Sequence, residues 1–211
     1  MDTPPDMRDS GIDILGKVPW GTHFCQFYET KHDLIEMLVP YFTAGLLANE
    51  FCMWITSKPL RVREAKAALR RNLPDLDRYV AKGQIEILDY SEWYTRGGEF
   101  EADAVLAGWV QKLEDALKRG FEGLRLTGNT FWLEQQTWDD FTNYEAAVNS
   151  VIGRYRMLAI CTYSLKKCNS REILDVMVNH QFALIKQKGH WEIIESAEHR
   201  KTEEVLKATQ D

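Results

Sequence analysis

The chain has 211 residues, and its 26 Lys and Arg against 32 Asp and Glu give a formal net charge of −6. With 45% hydrophobic and 27% charged residues, it is too apolar for an intrinsically disordered chain and long enough for one α/β domain with an appendage. An acidic chain has no excess of positive charge to neutralise phosphate groups, which argues against nucleic acid as its main partner.

The sequence also argues against a membrane protein and against a cysteine-based site. No apolar run approaches the roughly 18 residues that span a bilayer, and the first ten residues lack the basic and apolar regions of a signal peptide. We therefore expect a cytoplasmic protein without membrane contact. The four cysteines (Cys25, Cys52, Cys161 and Cys168) show no CxxC spacing, and the first three lie in apolar runs typical of strands. We predict neither a metal site nor a cofactor.

In chain order, short β-rich runs alternate with longer segments of helical periodicity. After an irregular lead-in over 1–18, we predict strands over 23–28, 51–56, 84–89, 123–127 and 157–164. The helices are predicted over 31–48, over 59–72, around 106–117 before Gly120, over 141–155 and from Ser170. This alternation predicts right-handed βαβ crossovers, and hence a three-layer α/β sandwich with a mostly parallel central sheet over 19–189.

The last segment, 190–211, contains neither Gly nor Pro and carries many charged residues with few apolar anchors. This pattern predicts a polar C-terminal connector helix. We expect it to lead to another module or to form a dimer contact.

Two positions where this fold class binds phosphate are unsuited to it. Residues 11–17 match the first seven positions of a phosphate-binding loop, G-x-x-x-x-G-K, but Val18 stands where Ser or Thr is needed and Pro19 follows. The turn after the first strand, 28–33, has no glycine, and Glu29 would repel an anion. We predict an ordinary loop at the first position and no triphosphate site at the second.

Ligands of open α/β sheets bind at the carboxyl ends of the strands, and polar side chains follow the fourth strand there. Thr127 and Asn129 offer hydrogen bonds beside an aromatic wall of Trp132 and Tyr28; alternatively, Asn129 caps a turn and Trp132 is a core residue. His180 is either a ligand-binding or switching residue or a hydrogen-bonded structural group. The candidate ligand-binding residues are Tyr28, Glu29, Thr30, Thr127, Asn129, Trp132, Tyr163 and His180.

No catalytic set is recognisable. The chain has no G-x-S-x-G or H-E-x-x-H motif and no cysteine paired with a histidine signature. Asp139, Asp140 and Glu145 lie on or just before the helix predicted over 141–155, where acidic groups near the N-terminus stabilise the helix dipole. We predict that the domain is not an enzyme.

Five separate blocks, in order along the chain, resemble the MEDS family, the methanogen/methylotroph sensory domain named after a dichloromethane-responsive regulator. They are WGTHFCQFY over 20–28, NEFCMWITS over 49–57, GLRLTGNTFW over 123–132, Tyr144-Glu145 with Asn149, and AICTY over 159–163. The resemblance covers about residues 14–195 and implies a RecA/KaiC-like domain that has lost its phosphate loop. Many members carry Glu where this chain has Asn129, so their ligand chemistry is not carried over.

The resemblance implies small-molecule sensing at the N-terminus of a sensor histidine kinase or in a transcriptional regulator. We therefore predict a non-catalytic sensory domain with its pocket between the ends of the first, fourth and fifth strands. Its expected partners are an unknown small-molecule ligand, a downstream PAS or kinase module reached through the C-terminal helix, and, in the dimer alternative, a second copy. Three other functions stay open: an atypical RecA-like nucleotide-binding domain, a ligand-free interaction scaffold, and a redox or metal site at the cysteines, which their placement in strands disfavours most.

Overall fold

Strands and helices alternate through most of the computed structural model, which describes residues 6–96, 100–129 and 138–195. The strands are β1 (Met7–Asp9), β2 (Lys17–Pro19), β3 (His23–Tyr28), β4 (Phe51–Thr56), β5 (Ile85–Asp89), β6 (Leu124–Asn129), β7 (Met157–Ser164), β8 (Phe182–Gln187) and β9 (His190–Glu195). The helices are α1 (Lys31–Leu47), α2 (Val62–Asn72), α3 (Leu76–Ala81), α4 (Tyr90–Trp93), α5 (Ala102–Lys118), α6 (Trp138–Ile152) and α7 (Ser170–Asn179).

The central sheet has seven strands in the order β5-β4-β6-β7-β3-β8-β9. All its neighbouring pairs are parallel except β8 and β9. The predicted α/β architecture with a mostly parallel sheet is confirmed. Every residue of β3 and β4 is buried, as expected for parallel strands covered on both faces.

Helices cover the two faces of the sheet and divide the core in two. Buried residues of α1, α2 and α3 pack on one face with Phe24, Trp54 and Leu158. Buried residues of α5, α6 and α7 pack on the other face with Cys25 and Cys161. Because side chains alternate along a strand, neighbouring residues of β3 and β7 belong to different cores.

Most predicted elements form close to their predicted bounds. The helix predicted from residue 59 begins at Val62, and α1 continues through Pro40. The prediction missed the short helices α3 and α4 and the strands β8 and β9.

The irregular lead-in predicted over 1–18 is wrong for its described part, because β1 and β2 form an antiparallel hairpin. Ile12 and Val18 of this hairpin segment are buried in the α1-side core. The residues that match the phosphate-binding pattern lie largely in the turn of the hairpin. Gly11 has a φ of 76°, and a Cβ there would lie 2.2 Å from the carbonyl oxygen of Pro40, which only glycine tolerates.

A buried ion pair attaches this hairpin to the sheet. Arg125 of β6 and Glu50, which precedes β4, are both fully buried and form a bidentate pair, with Arg125 Nε donating to Glu50 Oε2 at 2.5 Å and Nη2 to Oε1 at 3.2 Å. The guanidinium also donates to the carbonyl oxygens of Asp9 (2.7 Å) and Ser10 (3.1 Å) in the hairpin. These bonds satisfy a charge that would otherwise be costly to bury.

The helix predicted over 190–211 is wrong for its first six residues, which form the edge strand β9. Lys188 and Gly189 have φ values of 50° and 84°, the backbone of a tight hairpin turn. The alternate residues Trp191 and Ile193 then pack on the α1-side core, so the contacts follow a strand period rather than a helix period. Residues 196–211 lie outside the described residues. Over the described ranges, no helix has the length and apolar character needed to cross a bilayer.

Candidate functional site

Four polar side chains lie together in the core between the sheet and the helices α6 and α7. They are His23 at the beginning of β3, Glu145 in α6, Cys161 in β7 and His180 directly after α7. None is more than 3% exposed. Each side chain contributes one nitrogen, oxygen or sulfur atom to the cluster, and these four atoms all lie within 4.8 Å of one another. We call these four residues the buried cluster.

Short contacts run through the buried cluster. His23 Nε2 lies 3.3 Å from Cys161 Sγ and 3.6 Å from Glu145 Oε2. His180 Nε2 lies 3.4 Å from the same Glu145 oxygen. The two imidazole rings are 4.2 Å apart between centroids. Glu145 Oε2 is therefore close to an Nε2 nitrogen of each histidine.

Local structure explains why these side chains point inward. His23 and Cys161 face the α5–α7 side of the sheet, since Cys25 and Tyr163, two positions further along the same strands, pack in that core. Glu145 lies on the inner face of α6, near the buried residues Val148 and Ile152 at helical spacing. The extended backbone of His180 ends α7.

The second nitrogen of each imidazole is held by an oxygen acceptor. His180 Nδ1 lies 2.7 Å from the carbonyl oxygen of Val176, and because a carbonyl only accepts, Nδ1 carries the proton. His23 Nδ1 lies 3.3 Å from Asn149 Oδ1. An amide oxygen also only accepts, so Nδ1 of His23 carries the proton of this ring as well. In the neutral imidazoles, both Nε2 atoms then carry a lone pair that faces the cluster, where that of His23 lies 3.3 Å from Cys161 Sγ.

Burial changes the acidity of the cluster. Desolvation raises the pKa of Glu145 to about 8, although hydrogen bonds with Tyr163 and Cys161 oppose the rise. Desolvation lowers the pKa of His180 to about 4, and it lowers the pKa of His23 well below its usual value together with repulsion from His180. Near neutral pH the cluster is therefore mainly uncharged, with a protonated Glu145 and neutral imidazoles.

An open groove of about 610 Å³ lies beside α4 and the first half of α5. We call it the aromatic groove; it is lined by Trp93, Tyr94, Arg96, Glu101, Ala104, Val105 and Gly108. Behind it, a Cβ on Gly128 would lie 3.6 Å from the Tyr94 hydroxyl oxygen and 2.8 Å from Cys161 Sγ. Gly128 thus marks the point where the groove wall and the buried cluster approach each other.

Comparison with known proteins decides the family. The family model described as MEthanogen/methylotroph, DcmR Sensory domain (MEDS) matches residues 22–181, a span that contains the whole buried cluster. The chain belongs to the MEDS family. This confirms the resemblance seen in the sequence and supports a sensory or regulatory role.

A curated relative and a solved structure are similar to this MEDS domain. The transcriptional repressor DcmR of Methylorubrum extorquens is 24% identical over 185 residues, covering 82% of this chain and 61% of the repressor. The chain thus spans about three fifths of that relative's length. A KaiC-like protein of Pyrococcus horikoshii OT3 superposes with a TM-score of 0.64 at 16% identity, over 92% of this chain and 90% of the other. The second comparison confirms the KaiC-like fold.

The candidate residues predicted from the sequence do not form one pocket in this MEDS domain. Tyr28 packs in the α1-side core and Tyr163 in the α5–α7 core, so the sheet separates them. Thr127 is buried, and its hydroxyl donates to the Gly128 carbonyl oxygen at 3.3 Å. Tyr163 and His180 do meet, with ring centroids 5.7 Å apart. Asn129 ends β6, and Trp132 lies outside the described residues.

Glu29 and Thr30 form the exposed turn before α1, where Thr30 is the N-cap residue. The backbone N–H groups of Glu29 and Thr30 both donate to Asp33 Oδ2, at 3.1 and 2.9 Å. In a phosphate-binding loop such amides would face the anion. Here an internal carboxylate already accepts both hydrogen bonds.

Sequence reasoning missed three members of the buried cluster. The prediction that Glu145 stabilises a helix N-terminus is wrong, because Glu145 is the eighth residue of α6 and faces the core. The strand context of Cys161 was interpreted as a purely apolar environment. Two sequence signals were available: a histidine opens a strand that is otherwise largely apolar, and a glutamate shares the apolar face of a helix.

Proposed function

We propose that this MEDS domain senses a small molecule that binds in the aromatic groove, and that it acts on a regulatory output without catalysing a reaction. The observation that carries the proposal is the groove itself. Its volume of about 610 Å³ is that of a typical small-molecule site. The sensory description of the family and the repressor among its relatives support the regulatory part.

The groove walls favour a mainly apolar ligand with a hydrogen-bond acceptor. Trp93, Ala104 and Val105 supply apolar surface, whereas the exposed Arg96 and Glu101 supply charge. The indole N–H of Trp93 is buried and has no hydrogen-bond partner among the residues that the structure describes. A ligand acceptor that reached it would satisfy this donor, whose burial is otherwise unfavourable.

The position of the groove suggests how binding is transmitted. Tyr94 in the groove wall and Cys161 in the buried cluster both approach Gly128. His180 of the cluster lies two residues before β8, which pairs with the edge strand β9. These residues connect the groove to the edge of the sheet. We infer that a bound ligand stabilises one of two arrangements of this connection, with a coupling free energy between ligand binding and the edge strands of about 1–3 kcal/mol. A transcriptional regulator is the output best supported by the DcmR relative; a histidine kinase or PAS module downstream stays a prediction.

A groove-filling substitution tests the location of the site. Ala104→Phe places an aromatic ring on the exposed groove wall, and Ala107→Phe makes the same change on α5 at an exposed residue that does not line the groove. A panel of short alcohols, ketones and haloalkanes is screened by thermal shift and native mass spectrometry. We expect at least one compound to bind and stabilise the wild-type protein and Ala107→Phe but not Ala104→Phe. Equal responses of all three proteins, or no response from any, would contradict the proposal.

Nucleotide binding is the alternative that the KaiC-like fold favours. Since Asp33 occupies the amides of the β3–α1 turn, we expect no increase in melting temperature at millimolar Mg-ATP. A saturable increase that Asp33→Ala strengthens would favour the nucleotide-binding function instead.

A further inference from the structure

We propose that His23, Glu145, Cys161 and His180 bind one divalent transition-metal ion, zinc first, in a closed site inside the core. This metal site is distinct from the aromatic groove. It does not depend on the small-molecule function proposed above.

The spacing of the donor atoms fits tetrahedral coordination. Zinc bonds of about 2.0–2.3 Å place neighbouring ligand atoms about 3.3–3.8 Å apart. The nitrogen–sulfur distance from His23 to Cys161 is 3.3 Å, and the nitrogen–oxygen distances from Glu145 to His180 and His23 are 3.4 and 3.6 Å. The remaining donor pairs lie within 4.8 Å, so small side-chain rotations bring all four atoms around one ion.

The outer contacts of the histidines prepare them as ligands. Each Nδ1 faces an oxygen, from Val176 or Asn149, which directs the Nε2 lone pair into the cluster. Oxygen acceptors in this position typically orient metal-binding histidines.

Two of the inner atoms lack a hydrogen-bond partner within the described part of the chain. Across the described ranges, Glu145 Oε2 and His180 Nε2 are buried and have no hydrogen-bond partner, although they lie 3.4 Å apart. Two facing acceptors in a dry core are unfavourable unless a proton or a cation lies between them. A metal ion would bind both lone pairs, and also the Cys161 sulfur and His23 Nε2.

The type of donor selects the class of metal and its role. Two imidazole nitrogens, a thiolate and a carboxylate suit zinc or a neighbouring transition metal rather than magnesium or calcium, which prefer oxygen. Four protein ligands fill a tetrahedral ion and leave no open position for substrate, which is typical of a structural zinc site. The ion would join β3, α6, β7 and the segment that leads into β8.

Cobalt substitution tests the site directly in the whole chain. The purified protein is stripped with a chelator and titrated with Co²⁺, then with Zn²⁺. We expect one equivalent of Co²⁺ to give the intense visible bands of tetrahedral cobalt together with an ultraviolet thiolate-to-cobalt charge-transfer band. Zn²⁺ should displace the cobalt, abolish both signals and raise the melting temperature, and a chelator should reverse that increase.

Two matched cysteine substitutions locate the sulfur ligand. Cys161→Ser should lose the charge-transfer band and weaken metal binding at least tenfold. Cys52→Ser changes another fully buried strand cysteine, on the opposite face of the sheet, and should keep both. X-ray absorption of the zinc-loaded wild-type chain needs no variant and should show one sulfur and three nitrogen or oxygen neighbours.

Three results would overturn the proposal. The first is a folded wild-type chain that takes up neither metal. The second is a charge-transfer band that survives Cys161→Ser but disappears in Cys52→Ser. The third is a zinc shell with no sulfur or with more than one. Any of these would leave the cluster a proton-linked hydrogen-bonded network, with Glu145 as the donor.

Discussion

At the scale of single residues, Gly128 controls how closely a strand approaches the buried cluster. Its φ is not positive, so backbone conformation does not require glycine here. The requirement is space, because a Cβ would lie 2.8 Å from Cys161 Sγ, closer than a sulfur and a carbon atom can approach without movement. A fully buried thiol in a close-packed core has little room to move.

Gly128→Ala should therefore lower the free energy of unfolding by about 1–3 kcal/mol through overpacking. The measurement is urea denaturation. Gly153→Ala is the matched control, because the nearest atom to its added Cβ is at an ordinary 3.4 Å, and it should change the free energy by less than about 1 kcal/mol. Equal effects of the two substitutions would show that Cys161 is not confined as described.

At the scale of elements, the β3–α1 turn shows how a phosphate-binding position becomes a helix cap. Thr30 and Asp33 form a capping box at the beginning of α1. Asp33 Oδ2 accepts two backbone N–H groups, and Asp33 Oδ1 lies 3.3 Å from Lys186 Nζ of β8. The carboxylate thus satisfies donors that helix termini leave free and links the turn to a distant strand.

Asp33→Asn should cost about 1–2 kcal/mol near neutral pH, because it removes a charged acceptor of backbone hydrogen bonds. Burial opposes ionisation of Asp33, but hydrogen bonds from Thr30, Glu29 and Lys186 outweigh it, so its pKa is lowered in the folded protein. The stability that this carboxylate contributes is then present above its unfolded pKa of about 3.9 and is lost as the pH falls through the folded pKa.

The difference between wild type and Asp33→Asn should therefore shrink on acidification to about pH 3, as measured by urea denaturation at both pH values. Glu36→Gln is the control, because Glu36 also contacts Lys186. It should cost less, since the helix cap that Asp33 forms stays intact. A difference that stays constant with pH would show that the lowered pKa of Asp33 does not contribute to stability.

At the scale of the whole molecule, the folding unit extends beyond the family match. The family model begins at residue 22, but the β1–β2 hairpin before it supplies backbone acceptors to the buried Arg125 and apolar residues to the core. Glu50, which pairs with Arg125, also accepts a hydrogen bond from Arg8 at 3.0 Å. Removing the hairpin would leave buried guanidinium donors unsatisfied.

A chain that begins at Thr22 should consequently lose about 3–5 kcal/mol of stability relative to the full chain. Arg125→Met should cost a similar amount in the full chain and clearly less in the shortened one, because the two changes remove the same contacts. The four proteins are the full and the shortened chain, each with and without Arg125→Met. Their free energies of unfolding, measured by chemical denaturation, give the coupling free energy between the two changes. Strictly additive losses of stability would show that the hairpin and Arg125 do not interact.

The sequence predicted the sheet well and the site poorly. Strands follow from residues that are close in the chain, whereas the site depends on contacts between residues that are far apart in it. Strands such as 23–28 and 51–56 follow from local apolar runs, and their predicted bounds agree with the structure. The edge strand 190–195 was predicted as a helix, since its charged residues hide the alternate packing of Trp191 and Ile193. The proposed pocket placed Tyr28 beside Tyr163, although the strand pleat directs them to opposite faces.

The sequence by itself determined the class of the molecule: periodicity fixes which segments become strands and helices, and missing glycines exclude a phosphate loop in the first turn. Only the tertiary structure decided where the polar chemistry lies. His23, Glu145, Cys161 and His180 are separated by as many as 157 positions, and no spacing rule relates them. They meet because β3 and β7 pair in parallel with His23 opposite Ala159, and because α6 and α7 pack on that same face.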